Sequence, residues 1–376
     1  MKVYLDHAAT TKISKSVFDE MSKCFFDDFG NANSSHSFGR KAVAHLDTSR
    51  EIIADVIGAK PKEIYFTSGG TEADNWAIKG LFLANRGKKN RLIVSAIEHS
   101  AIIETAKSLS KLGAEVVYIY PNSDGVITAS SVQKEIDDNT FLVSVMYVNN
   151  ETGVINDIKG IAQVCKEYGV LFHTDAVQAT TLEKRVNDLG VDLMTISAHK
   201  MSGPKGIGLL YVRDGVTISP LIEGGSQESA LRGGTSNVPS VVGFACAFKN
   251  NEQTIKDRTK KLVEIQNYFE TKLLEMGFDI KINGKNRVPS ISNITFKGVK
   301  ASVLLTRLDF LGIAVSAGSA CTAGSLEPSH VLMAMGLSEE DAASSVRFSF
   351  GEENTLEEID YTLNAIKGIL SGLLHK

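Results

Sequence analysis

The segment SAHKMSGPKGIG, residues 197–208, sets Lys200 in a glycine-rich turn directly after an apolar run. A lysine amine held by turn backbone and partly removed from water is a nucleophile suited to forming a Schiff base with a carbonyl compound. Asp175 in HTDAVQA, residues 173–179, offers a carboxylate at the end of another apolar run. In TSGGTEADN, residues 67–75, Gly69 and Gly70 permit a tight turn and Thr71 adds a hydroxyl just where a helical pattern begins. Exposed amides at such a helix start can cradle phosphate, although a plain glycine turn with a threonine cap would read the same way. The segment is neither a Walker A loop nor a GxGxxG fingerprint.

These three segments meet the needs of one cofactor, pyridoxal 5'-phosphate (PLP). PLP takes a lysine for its aldehyde, an acid for its pyridine nitrogen and an anion cradle for its phosphate. Ser197 and His199 flank Lys200 closely enough to join that cradle. Other polar residues also close apolar runs: His99 after 91–98, Asn150 after 141–148 and Gln178 after 170–176. Singly, each reads as a cap, a turn former or a hydrogen-bonded ring. Open α/β sheets bind ligands beyond the carboxyl ends of their strands, so together these residues point to one crevice. His99 suits proton handling there, because imidazole ordinarily titrates near neutrality.

Two more residues extend the set. In VSAGSACTAGSLEPS, residues 315–329, small residues surround Cys321 and make an accessible loop rather than an apolar niche. The thiol can then reach a bound ligand; an idle surface thiol is the alternative. Arg347 in ASSVRFSFG falls in a predicted strand, where its guanidinium can pair with a substrate carboxylate or serve a structural ion pair.

The elements that must position these residues follow an α/β pattern. Runs at 91–98, 115–120, 141–148, 170–176, 192–199 and 206–212 read as strands, as does the shorter run at 63–66. Several are apolar throughout, as in a mostly parallel sheet covered by helices on both faces. Helical spacing appears near 74–85, 100–112 and 158–168. From about 251 a charged helical segment leads to a strand at 291–296 and a helix near 301–310. Ser338 with Asp341, and Thr355 with Glu358, form helix-capping pairs, the second opening an apolar face at Leu356, Ile359, Leu363, Ile366 and Leu370. A large domain over 15–255 and a smaller one made of 1–14 and 256–376, carrying the Cys321 segment, are expected.

Bulk properties narrow the function class. With 40 Lys+Arg against 44 Asp+Glu, the formal charge of -4 argues against a general nucleic-acid or acidic-membrane binder. Without an apolar leader core at the start or an apolar run long enough to span a bilayer, a cytoplasmic protein is expected. The four cysteines, Cys24, Cys165, Cys246 and Cys321, are scattered without a CxxC pair, and no metal site is expected.

In order along the chain, YLDHAATT (4–11), NANSSHSFGRKA (31–42), TSGGTEADN (67–75), EH (98–99), VNNETGVI (148–155), HTDAVQA (173–179), SAHKMSGPKGIG (197–208), RGGTSN (232–237), SAGSACTAGSLEPSHVL (316–332) and SSVRFSFG (344–351) resemble the cysteine desulfurases of the NifS/IscS-like group. This group lies in the class V aminotransferase branch of fold-type I PLP enzymes. The resemblance implies an α/β fold: a large domain with a mostly parallel seven-stranded sheet flanked by helices, plus a smaller α+β C-terminal domain. It implies that Lys200 carries PLP, His99 stacks on the ring, Asp175 bonds the pyridine nitrogen and Gln178 contacts the ring oxygen. Gly70, Thr71, Ser197 and His199 would hold the phosphate, joined by Thr235 across a homodimer interface. RGGTSN departs from the usual RSGT-like form yet keeps that threonine. Asn150 and Arg347 would receive the carboxylate of L-cysteine, and Cys321, in a long group I loop, would take its sulfur as a persulfide for a scaffold or other acceptor protein. Catalysis would then rest on Cys321, Lys200 and His99. A selenocysteine lyase or another PLP-dependent lyase or aminotransferase is the alternative, and no direct nucleic-acid or membrane binding is expected.

Overall fold

The structure is a computed structural model and describes residues 1–318 and 328–374. The first half runs β1 (Val3–Tyr4), α1 (Lys15–Phe26), α2 (Ser37–Ile57), β2 (Ile64–Thr67), α3 (Gly70–Ala84), β3 (Arg91–Ser95), α4 (Ser100–Ser110), β4 (Glu115–Ile119), α5 (Ala129–Gln133) and β5 (Thr140–Ser144). Next come α6 (Ile158–Glu167), β6 (Leu171–Asp175), α7 (Val186–Leu189), β7 (Leu193–Ser197), β8 (Gly208–Val212), α8 (Val238–Leu274), β9 (Ile280–Ile282) and β10 (Ile291–Phe296). The chain closes with α9 (Ala301–Phe310), β11 (Ile313–Ala314), α10 (His330–Ala334), α11 (Glu339–Ala343), β12 (Ser345–Ser349) and α12 (Leu356–Leu374).

Seven strands form the main sheet in the order β2-β8-β7-β6-β5-β3-β4. Only β8 runs against its neighbours, β2 and β7; the other pairings are parallel. The expected mostly parallel seven-stranded sheet is therefore present. β5, β7 and β8 are buried at every position, which explains their largely apolar sequence, interrupted by the hydroxyls of Thr140, Ser144, Thr195 and Ser197.

Strands β3 to β7 end before their apolar runs do, and Met146 and His199 among the residues left over line the cleft. The 141–148 run stops as a strand at Ser144. On the β3 side the N–H of Met146 goes instead to the Glu98 carboxylate, 2.7 Å away, so a side chain replaces a ladder bond. Directly after β2, α3 begins at Gly70, one turn before the spacing near 74–85 suggests. Gly208 lets β8 approach the preceding turn, since a Cβ there would stand 2.7 Å from the Gly69 carbonyl carbon.

A second layer system holds the C-terminal part of the chain. β12, β10 and β9 form an antiparallel sheet. β1 pairs with β11, returning the N-terminus to this part of the molecule. Its apolar cluster includes Leu5, Phe269, Phe296, Phe348, Ile359 and Ile366. The capping pairs form as expected: the Ser338 hydroxyl accepts from Asp341 N–H, and Thr355 and Glu358 accept from each other's backbone N–H. Helix α8 spans 37 residues without interruption. Its Phe244 and Phe248 belong to the core under the main sheet, while Leu262, Ile265 and Phe269 belong to the second cluster. One helix thus ties the two cores together.

Candidate active site

A cavity of about 220 Å³ opens at the carboxyl ends of β6 and β7 and is lined by Gly70, Thr71, His99, Asn150, Asp175, Gln178, Ser197, His199, Lys200 and Arg347, together with Ala8, Ala9, Asp74, Met146 and Val177. Ten residues singled out from sequence are therefore brought to one place. Thr235 is not among them; it is exposed, although its neighbour Arg232 is fastened to Glu72 at 2.8 Å beside the start of α3. Cys321 lies outside the described residues. Its flanks do not: Ser316 exchanges backbone hydrogen bonds with Arg347, the Ser329 hydroxyl donates to the Glu151 carboxylate, and the His330 ring bonds the Glu98 carbonyl at 3.0 Å.

Lys200 sits in a short helical turn immediately after β7. Its Nζ donates to the carbonyls of Ala8 at 2.6 Å and Ala9 at 2.8 Å, so the HAATT segment docks the amine at the cavity wall. Gln178 donates to the same Ala8 carbonyl at 2.8 Å. Across the cavity, Asp175 accepts from the Val177 N–H at 2.8 Å. Burial pushes its carboxyl up to about 6, against the opposing pull of that hydrogen bond and the Lys200 charge.

His99 caps α4 through its ring, Nδ1 accepting from Ala101 N–H at 3.1 Å. The proton of the neutral ring therefore sits on Nε2. Burial, aided by the nearby Lys200 charge, pushes His99 down to about 4, so the near-neutral titration expected from its residue type does not hold here. At neutral pH the ring is an uncharged N–H donor. His199 is likewise lowered to about 4, chiefly by burial. Its Nδ1 lies 3.2 Å from the Thr10 hydroxyl.

Arg347 is buried in β12. Its Nη2 donates to Asp6 at 2.8 Å and its Nη1 to the Asn150 carbonyl at 2.9 Å, while Nε is buried without a hydrogen-bond partner among the described residues. A guanidinium held flat by two fixed acceptors is prepared for a carboxylate. Asp6, Asp74, Glu98 and His173 escaped the sequence reading. Asp74 was visible in principle, four residues after Gly70 and so on the same helical face; His173 stands two before Asp175, on the same face of β6.

The donor set fits PLP. No side chain caps the N-terminus of α3, leaving its first amides and Thr71 for an anion. Lys200, just after β7, and Asp175, at the end of β6, both line this cavity.

The chain matches the description Aminotransferase class-V over residues 3–362. The chain belongs to the class-V aminotransferase family. Among its relatives, a protein named Cysteine desulfurase IscS from Dictyoglomus turgidum is 42% identical over 99% of this chain and 95% of its own. A solved NifS-like protein superposes with a TM-score of 0.94 at 37% identity, covering 99% of this chain and 100% of that one. A structure described as SspA in complex with cysteine gives 0.84 at 37% identity, over 94% and 100% of the two chains. This class-V aminotransferase is accordingly a PLP-dependent enzyme. None of its described helices is long and apolar enough to cross a membrane.

The buried Glu98 gives this class-V aminotransferase a testable pH signature. Burial pushes the carboxyl up to about 8, although Ser95 and the Met146 N–H both donate to it. An unfolded glutamate ionises near about 4.3. Between those values the folded chain holds the extra proton, so this group's stabilisation is complete below the lower value and is lost as pH rises through the upper. Relative to Glu98→Gln, the wild-type holoenzyme is expected to lose about 1.4 kcal/mol per pH unit between pH of roughly 5.5 and 7.5 in urea unfolding. Parallel pH curves for the two proteins would contradict the buried, protonated carboxyl.

Proposed function

We propose that this chain is a cysteine desulfurase that converts L-cysteine to L-alanine and passes the sulfur to Cys321 as a persulfide. The carrying observation is the cleft that joins Lys200, Asp175 and Arg347, with both flanks of the Cys321 segment resting on residues beside it. The relatives named for this activity and the cysteine-bound structure support the same reading.

The net reaction needs no external oxidant. The substrate C–S bond breaks, an S–S bond forms to Cys321, and the bonding pair stays with the substrate carbon. That carbon takes up the proton given up by the thiol and becomes the methyl group of alanine. When bound, PLP supplies an electron sink beside the substrate's α-carbon.

The chain's own residues do the rest. Arg347 and Asn150 seat the α-carboxylate, with Asp6 keeping the guanidinium in plane. Lys200 would hold the cofactor covalently, and its free amine, placed by the Ala8 and Ala9 carbonyls, would take the α-proton. When PLP is bound, Asp175 would answer its ring nitrogen and Gln178 its ring oxygen, while Gly70, Thr71, Ser197 and His199 would hold its phosphate. His99 would stack on the ring, and its Nε2 proton would be available to the departing sulfur.

A homodimer completes this reading, with Thr235 reaching the phosphate of the partner subunit. Supporting it, Thr235 is exposed and away from its own chain's cavity, and Phe25, Phe26 and Phe29 are 56%, 80% and 65% exposed around the end of α1. An iron–sulfur scaffold or a tRNA- or cofactor-thiolating protein is the expected sulfur acceptor. The cytoplasm is the expected compartment, in keeping with free thiols at Cys24, Cys165 and Cys246.

Holoenzyme given L-cysteine and a thiol reductant is expected to release alanine and sulfide in equal amounts. Sulfide accompanied by pyruvate and ammonia instead of alanine would replace this reading with a β-eliminating lyase.

A further inference from the structure

Two carboxyl groups lie at the floor of the cleft, and the chemistry above uses only Asp175. Asp74, on α3, lines the same cavity and is 1% exposed. Its Oδ1 is buried with no hydrogen-bond partner among the described residues. The Nε2 of His173 is 3.8 Å away, too far for a hydrogen bond. That ring is engaged elsewhere: Nδ1 lies 2.9 Å from the Ser144 hydroxyl and Nε2 lies 3.0 Å from the Thr195 hydroxyl. Burial pushes His173 down to about 3, so it supplies no positive charge.

Asp175 is served differently. It has the Val177 N–H as a donor and the Lys200 charge nearby. Asp74 has only Thr195 to lower it, while burial and the charge of Asp175 raise it. Two neighbouring carboxylates away from water cannot both ionise, and the proton stays on the one with no cation beside it. These are the titratable groups around the pair: His173 on β6, Glu98 beyond β3, and Lys200 beyond β7.

We propose that Asp74 and Asp175 hold one proton between them, that Asp74 carries it, and that this neutral acid positions Asp175 as the single carboxylate facing the ring nitrogen of the bound cofactor. Its cofactor-facing half rests on the placement of PLP given above. Asp74 is thus a positioning residue, acting through Asp175.

The test compares wild type, Asp74→Asn and Asp74→Leu. Asparagine is a neutral donor of similar shape, so PLP affinity, read by fluorescence titration of the full chain, is expected to stay within about threefold of wild type. Leucine, which cannot donate, is expected to weaken PLP about tenfold; Asp74→Ala serves if the leucine protein does not fold. Infrared difference spectra at neutral pH between wild type and Asp74→Asn, both without PLP, should show a protonated carboxylic-acid carbonyl band in wild type alone. No such band, or an asparagine variant as weak in PLP binding as the leucine one, would overturn the proposal. The infrared readout does not involve the cofactor, so misplacement of PLP would show separately, as normal PLP binding by Asp175→Asn.

Discussion

Replacing Lys200 by alanine or by arginine is expected to lower kcat/KM for alanine formation by at least about 10,000-fold, since both the covalent attachment and the proton acceptor are lost. The arginine variant is the informative one. Arginine retains a cation able to donate to the carbonyls of Ala8 and Ala9, which the Lys200 amine reaches at 2.6 and 2.8 Å, so the HAATT segment stays docked. Its guanidinium does not deprotonate in proteins and therefore offers no nucleophile. Wild type should keep PLP attached after borohydride reduction and denaturation, whereas both variants should release it. Activity above about one hundredth of wild type in the arginine protein would move the proton-transfer role elsewhere, because a lost general base alone costs about 100-fold or more.

The second large effect is expected at Arg347. Its two fixed acceptors, Asp6 and the Asn150 carbonyl, set the plane in which a carboxylate can meet a planar fork of donors. Arg347→Lys keeps the charge but loses that fork, and KM for L-cysteine is expected to rise about 100-fold, the size of a charge-assisted hydrogen-bonded contact. kcat at saturation should fall much less, because the same contact exists before and during the reaction. Steady-state alanine assays separate the two parameters. A fall confined to kcat, with KM unchanged, would remove Arg347 from the carboxylate site.

Much of this arrangement was legible in the sequence, for identifiable reasons. Strands buried on both faces must be apolar, so the runs ending near Ser95, Ser144, Asp175 and Ser197 announced a parallel sheet, and polar residues just beyond them marked its ligand-binding edge. Glycines around Lys200 and before Thr71 marked the two turns. What stayed hidden depends on long-range contact. Asp6 meets Arg347 across 341 positions of sequence, and no local spacing relates them. The depressed titration of His99 comes from burial by elements far away in sequence, which its residue type cannot signal. The capture of Met146 N–H by Glu98, which ends β5, is a contact over 48 positions and was invisible for the same reason. Thr235 was legible as a motif but not as a location, since the described cleft of one chain does not include it.

The most direct test of the account is the fate of the substrate sulfur. Holoenzyme should be mixed with a single equivalent of L-cysteine in the absence of reductant, quenched in acid, digested and read by mass spectrometry, alongside alanine quantification. One alanine per subunit and a peptide carrying one additional sulfur atom on Cys321 is the predicted result, with neither formed by Cys321→Ser. Alanine produced by Cys321→Ser as fast as by wild type, or the extra sulfur found on Cys24, Cys165 or Cys246, would contradict sulfur transfer through Cys321.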